Sequence, residues 1–193
     1  DPVRQVSIIP RGSAGGYTMS VPTEDKSYKT KNGMLDDIVV LLGGRVAEKL
    51  VLGDISTGAS NDIERATKLA KSMVTEYGMS DRIGPVSYSS GSGEVFLGRD
   101  YGHAKDYSEA FAQEIDEEIS AIIHNGYDRT EKILTEHMDK LHELAQYLIK
   151  YEKIDGEKFA KLMKGELQED TEEPETLPNV DEVKETPDTE IIE

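Results

Sequence analysis

The sequence predicts a mainly α-helical domain with a small β-hairpin or sheet near its N-terminus. Apolar residues recur at helical spacing over four long stretches and one short one between Leu35 and Phe159. β-Prone runs parted by a Gly-rich turn occupy the N-terminal segment up to Pro22. The 193 residues include no cysteine, so the fold has to hold together by burying apolar helix faces, without disulfides.

The elements follow in chain order. "VRQVSIIPRG" and "GGYTMSVP" read as a hairpin or two neighbouring strands around the turn at Gly12 to Gly16. Thr23 to Asn32 is polar and reads as a mobile loop. In "GMLDDIVVLLGGRVAEKLVLG", Leu35, Ile38, Val39, Leu42, Val46 and Leu50 share one helical face. Gly43 and Gly44 within it each cost roughly 1 kcal/mol relative to alanine. Such a pair implies either close packing of another backbone or a break between two helices. Gly53 to Ala59 is loop. Asn61 followed by Glu64 resembles a capping box, which places Asp62 at the first helical position. That helix carries Ile63, Ala66, Leu69, Ala70, Met73 and Val74 on one face and stops at Gly78. "IGPVSYSSGSGEVFLG" is too rich in Gly and Ser for a helix and reads as strand and loop. A long amphipathic helix starts at Ser108, another holds Leu141 to Ile149, and a short one starts at Asp155 with Ile154 and Phe159 as its hydrophobic staple.

Charge excludes some functions. The net charge of −17 argues against nucleic-acid binding, which needs clustered Lys and Arg, and against adhesion to anionic membranes. No apolar run is long enough to span a bilayer, and the N-terminus has no signal-peptide pattern. It also lacks an initiator Met, so the chain reads as cut from something longer. The acid concentrates at the C-terminus: Glu166 to Glu193 holds twelve Asp or Glu, one Lys and three Pro. Residues 166–193 are therefore expected to be a disordered acidic tail behind a domain of residues 1–165.

Single-residue chemistry gives no complete active site. His137 and His142 are five apart, about 140° around a helix, which is poor geometry for one metal. They read as surface or partly buried helix histidines, and His103 as a loop residue without a chemical role; His124 is the fourth histidine. There is no H-E-x-x-H, no nucleophile elbow and no phosphate-binding loop. Asp62 stands out because the positive end of the helix dipole favours a negative charge there, and a positioned carboxylate is a good zinc ligand. Asp is also common in a first helical turn for the dipole reason alone, and spacing does not separate the two roles.

Several segments together carry a resemblance. "SIIPRG", "LLGGRVAEKLVLG", "ISTGASNDIERATKLAKSMVTEYGMSDRIGPVSY" and "EVFLGRD", followed by "YSEAFAQEIDEEISAII" and "ILTEHMDKLHELAQYLI", resemble the FtsH family of membrane-anchored, ATP-dependent zinc metalloproteases over roughly Asp1 to Gly165. The resemblance implies a helical peptidase domain in which two histidines of an H-E-x-x-H helix and the aspartate of the S-N-D block, here Asp62, hold Zn2+. It implies Glu48 as a residue near the metal. The family's H-E-x-x-H helix lies upstream of the segment matching Asp1, as do its general-base glutamate, its ATP- and Mg2+-binding module and its membrane helices. The chain is therefore expected to be the C-terminal part of a peptidase domain, inactive alone. The intact protein would be a membrane-anchored homo-hexamer with its peptidase domain on the cytoplasmic side, degrading unfolded, membrane or regulatory proteins processively. Zinc would lower the pKa of its water and polarise the scissile carbonyl. An edge strand would pair with extended substrate, with Gly15, Gly16, Tyr17 and Thr18 as candidates because glycine allows close approach. Two other readings are a non-catalytic helical module for oligomerisation or substrate docking and an acidic adaptor acting through its tail.

Overall fold

The computed structural model describes residues 1–12, 15–22, 28–88 and 108–167. Among them the order is β1 (Val3–Ser7), β2 (Tyr17–Ser20), α1 (Lys31–Leu52), α2 (Ser60–Thr75), α3 (Glu109–Glu136), α4 (Met138–Tyr151), β3 (Lys153–Asp155) and α5 (Gly156–Lys164). The chain is mainly helical with a small antiparallel sheet, as the sequence predicts. It divides into two compact units: residues 22–143, and residues 1–21 with the chain from Leu144 onward.

The larger unit is a packed trio of helices, α1, α2 and α3. Helix α1 starts where the Thr30 hydroxyl accepts from the Gly33 amide, so Lys31 and Asn32 are helical and the preceding loop is shorter than expected. Met34, Ile38, Leu42 and Val46 recur every fourth residue and are buried. With Ala66, Ala70 and Met73 of α2, the first three form the core, and Ile119, Ile122, Ile123 and Tyr127 of α3 pack on it.

Of the two readings of Gly43-Gly44, the break fails, and no close backbone meets the pair among the described residues. The helix runs through them unbroken, and among the described residues nothing lies within 4 Å of a Cβ added at either. The close approach is elsewhere, at buried Gly126 of α3. A Cβ there would meet Ile38 Cγ2 at 2.9 Å and Leu42 Cδ1 at 3.4 Å. One turn later the buried Thr130 hydroxyl donates to the Gly126 carbonyl at 2.7 Å and reaches the Val39 carbonyl at 3.2 Å. A side chain as large as leucine at either position would separate the helices. Ion pairs Arg129–Asp36 and Lys49–Glu131 flank this contact on the surface.

Helix α2 ends as its glycine predicts: Gly78 has φ of 59°, and Met79 N–H donates back to the Met73 carbonyl across it. The chain after it differs from the expectation. Ile83 to Tyr88 form no strand; the buried Ser80 hydroxyl gathers the Arg82 and Ile83 amides into a turn, and Pro85 has no N–H for a ladder. Residues 89–98 of that predicted strand-and-loop region, and His103, lie outside the described residues. Helix α3 begins where expected, with Ser108 as its cap.

In the smaller unit β1 is central, paired antiparallel with β2 on one side and β3 on the other. The β1–β2 pair is the predicted hairpin. Strand β3 was not expected, because three residues are too few to show alternation, yet its Ile154 is buried between exposed Lys153 and Asp155. Ile154, Leu148 and Leu162 form a small core, with Val6, Phe159 and Leu167 packed on it. Asp155 caps α5 through the Lys158 amide, as predicted. Gln168 onward, most of the expected acidic tail, lies outside the described residues.

The two kinds of glycine should respond oppositely to alanine. Gly126→Ala drives a methyl into Ile38 and is expected to destabilise by about 1–3 kcal/mol. Gly44→Ala fills open space in a helix interior and is expected to stabilise by about 0.4–1 kcal/mol. Urea unfolding of both variants measures this, and equal signs would contradict the packing described.

Candidate metal-ligating site

The site is built from the end of α1 outward. Arg45 and Glu48 sit three residues apart in its last turns, and Gly53 ends the helix in the left-handed conformation, φ 68°. The chain then returns as the exposed loop Asp54 to Gly58. Ser56, in the middle of this loop, is gripped from both sides. Its hydroxyl donates to Glu48 Oε1 at 2.5 Å and its amide donates to Glu48 Oε2 at 3.3 Å. Its carbonyl accepts from Arg45 Nη1 at 3.2 Å. The same hydroxyl oxygen accepts from the Gly58 amide at 3.1 Å, which closes the loop on itself.

From there the backbone winds straight into α2. Ser60 N–H donates to the Thr57 carbonyl and Ile63 N–H to the Ala59 carbonyl, both at 3.0 Å. The helix therefore begins at Ser60, with Ala59 in the capping position and no side-chain cap. This corrects the expected Asn61 cap: the Ile63 amide, which an Asn61 side chain could serve, already donates to the Ala59 carbonyl. Asp62 is consequently the third helical residue, still within the first turn where the dipole favours its charge. Its carboxylate is partly exposed and makes a long ion pair with Arg65 at 3.6 Å, a contact of the kind that contributes little.

The two carboxylates thus differ in commitment. Hydrogen bonds from the Ser56 hydroxyl and then the Ser56 amide hold the Glu48 carboxyl below its ordinary value. Arg45 adds to this lowering, while partial desolvation and Asp54 oppose it. Among the described residues no three His, Asp or Glu side chains converge on a point that would hold a metal ion. Zinc sites in enzymes take three protein ligands, so the described residues do not by themselves make up a zinc site. His124 and His142 lie on exposed helix faces, each with Nδ1 against the carbonyl one turn earlier.

The candidate strand residues sit in the smaller unit. Tyr17 and Thr18 open β2, the edge strand, whose outer side has no strand partner among the described residues. Gly16 lies against β1, where a Cβ would meet the Ser7 carbonyl at 2.5 Å. The Tyr17 hydroxyl donates to Gln5, and Arg11 lies over the Tyr17 ring.

Sequence reasoning singled out Asp62 and Glu48 but missed Arg45 and Ser56. The available signal was an Arg and a Glu three apart at a helix end, followed by a serine in a loop of small residues.

The lowered Glu48 value fixes a pH dependence. The stability it contributes is complete above the unfolded value near 4.5 and is lost as pH falls through the lower folded value. A carboxyl-carbon NMR titration should place Glu48 below 4.5 in the native chain and closer to 4.5 in Ser56→Ala. An unchanged value in that variant would show that Ser56 is not the cause.

The sequence is similar to known proteins over most of its length. The family model described as "Peptidase family M41" matches residues 1–162. The chain is 61% identical over 165 residues to "ATP-dependent zinc metalloprotease FtsH 1" of Thermoanaerobacter sp. (strain X514), covering 86% of this chain and 27% of that protein. It is 58% identical over 167 residues to "ATP-dependent zinc metalloprotease FtsH 2" of Alkaliphilus metalliredigens (strain QYMF), covering 86% of this chain and 24% of that protein. With "ATP-dependent zinc metalloprotease FtsH" of Bacillus subtilis (strain 168) the identity is 51% over 164 residues, 84% of this chain and 26% of that protein. The chain spans about a quarter of the length of these relatives. No helix among the described residues is long and apolar enough to cross a membrane. With a family model matching nearly all of the described chain, the protein belongs to peptidase family M41.

Proposed function

We propose that the chain is part of an ATP-dependent zinc metalloendopeptidase that degrades unfolded, membrane or regulatory proteins processively. The observation that carries this reading is Asp62: the family match runs through its S-N-D block, and its carboxylate lies in the first turn of α2 with one weak contact, to Arg65, among the described residues. Asp62 supplies one oxygen donor to zinc. The sequence has no two histidines one helical turn apart, so the other ligands and the general base are assigned to parts of the longer relatives that this chain does not span. When bound, zinc supplies a water of lowered pKa and polarises a carbonyl.

This chain's own residues do the rest. The dipole of α2 supports the charge of Asp62, Glu48 and Ser56 hold the loop before it, and the open side of β2 at Tyr17 and Thr18 offers amides and carbonyls to an extended substrate. Residues 1–165 form the peptidase portion, and the acidic residues 166–193 lie behind it. ATP-driven threading, membrane anchoring with a cytoplasmic peptidase domain, and assembly as a homo-hexamer belong to the same reading. A second reading, a non-catalytic helical module for oligomerisation or docking, draws on the exposed apolar Val40 and Leu52 of α1.

Two measurements test this. The purified 193-residue chain should show no chelator-sensitive caseinolysis, since one carboxylate cannot replace three ligands; such activity would overturn the division of ligands. In the full-length protein, Asp62→Asn should abolish zinc content and proteolysis together while ATP hydrolysis persists. If Asp62 serves only the helix dipole, the variant loses about 0.3–1 kcal/mol of stability and keeps its zinc, which would favour the second reading.

A further inference from the structure

We propose that Ser56, gripped by Glu48 and Arg45, is a clamp that positions Asp62 for metal binding, so that Glu48 acts through the loop and not as a ligand. The inference rests on the reading of Asp62 as a zinc ligand. Three polar groups of Ser56 are engaged by the end of α1: hydroxyl and amide by the two Glu48 oxygens, carbonyl by Arg45. This fixes both position and orientation of one peptide unit in an otherwise exposed loop.

Rigidity is then transmitted without a free joint. The Gly58 amide is tied to the Ser56 hydroxyl, and the next two bonds are already those of the turn and first coil of α2. A Cβ at Gly58 would lie 3.2 Å from the Ser56 hydroxyl oxygen and 4.0 Å from Glu48 Oε1, so the loop is drawn tightly over the clamp. Ala59, the capping residue, is buried, which pins the far end. Asp62 follows three residues later. A ligand on a helix start set by backbone geometry keeps its place only if the preceding turn does, and no side-chain cap substitutes for that turn.

The clamp also separates the roles of the two carboxylates. To reach a metal, Glu48 would have to give up the hydrogen bonds from Ser56. Asp62 would give up only a solvent-screened contact at 3.6 Å.

The test uses the full-length protein and two readouts. In metal-free protein, hydrogen–deuterium exchange of the peptide spanning Ile55 to Asp62 should be faster in Ser56→Ala and in Glu48→Gln than in the native protein. Ser56→Thr, which keeps the hydroxyl, should restore slow exchange. Zinc affinity from chelator competition should fall about 10–100-fold in Ser56→Ala and recover in Ser56→Thr. The double variant Glu48→Gln with Ser56→Ala should lose little more than Ser56→Ala alone, because the two side chains act as one contact. Asp62→Asn should lose zinc yet keep native exchange in the loop. Fast exchange with unchanged zinc affinity in Ser56→Ala would overturn the positioning role, as would additive losses in the double variant. Retention of zinc by Asp62→Asn would instead overturn the ligand reading, and the positioning of Asp62 with it.

Discussion

The missing side chain at Gly126 is the constraint from which the larger unit is built. It lets α3 lie so close to α1 that a methyl group would strike Ile38. The buried Thr130 hydroxyl bridges to the α1 backbone at Val39, so the contact carries a hydrogen bond as well as van der Waals packing. With α1 held along its length, its last turns become a rigid platform. Arg45 and Glu48 project from that platform, and the loop that carries the chain into α2 is fastened to them. Small residues thus act at two scales: Gly126 sets the spacing of helices, and Gly58 sets the spacing of a loop from its anchor.

Much of this was legible in the sequence, and what was missed has a common cause. Periodicity located the helices because burial of one face is a property of the pattern itself: Ile38, Leu42 and Val46, like Ala66, Ala70 and Met73, are buried where their spacing puts them. Gly78 and Asp155 were legible because each performs a local backbone task. The errors arose where a residue's reason lies far along the chain. Among the described residues Gly43 and Gly44 face open space, while the notch at Gly126 answers to Ile38 and Leu42, far earlier in the chain. Asn61 has the chemistry of a cap, but the turn beginning at Thr57 starts the helix first. Strand β3 exists only because β1 offers an edge to it.

The candidate site divides along the same line. Asp62 could be named from its block of sequence because its position in a first helical turn is local. The relation of Glu48 to Ser56 could not, since it depends on how the chain returns after Gly53. The family resemblance alone implies Glu48 as a residue near a metal. The structure shows what that carboxylate already does: it is an acceptor for a hydroxyl and an amide of a loop.

Two carboxylates a short way apart in sequence therefore carry opposite designs, and the difference is one of commitment. A carboxylate that accepts from both a hydroxyl and an amide is stabilised as an anion by neutral donors, and each bond would be lost on turning to a cation. Removing it would also leave the Ser56 amide and hydroxyl seeking water in its place. A carboxylate at a helix start needs no such partners, because the dipole supports its charge through the backbone and leaves its lone pairs free. A divalent cation shared with other elements needs donors of the second kind, held by donors of the first. The end of α1 presents a carboxylate of the first kind, Glu48, and the start of α2 one in a first helical turn, Asp62. This also accounts for the loop between them: a longer or bulkier connection would break the chain of short bonds that runs from Glu48 through Ser56 and Gly58 to the first turn of α2.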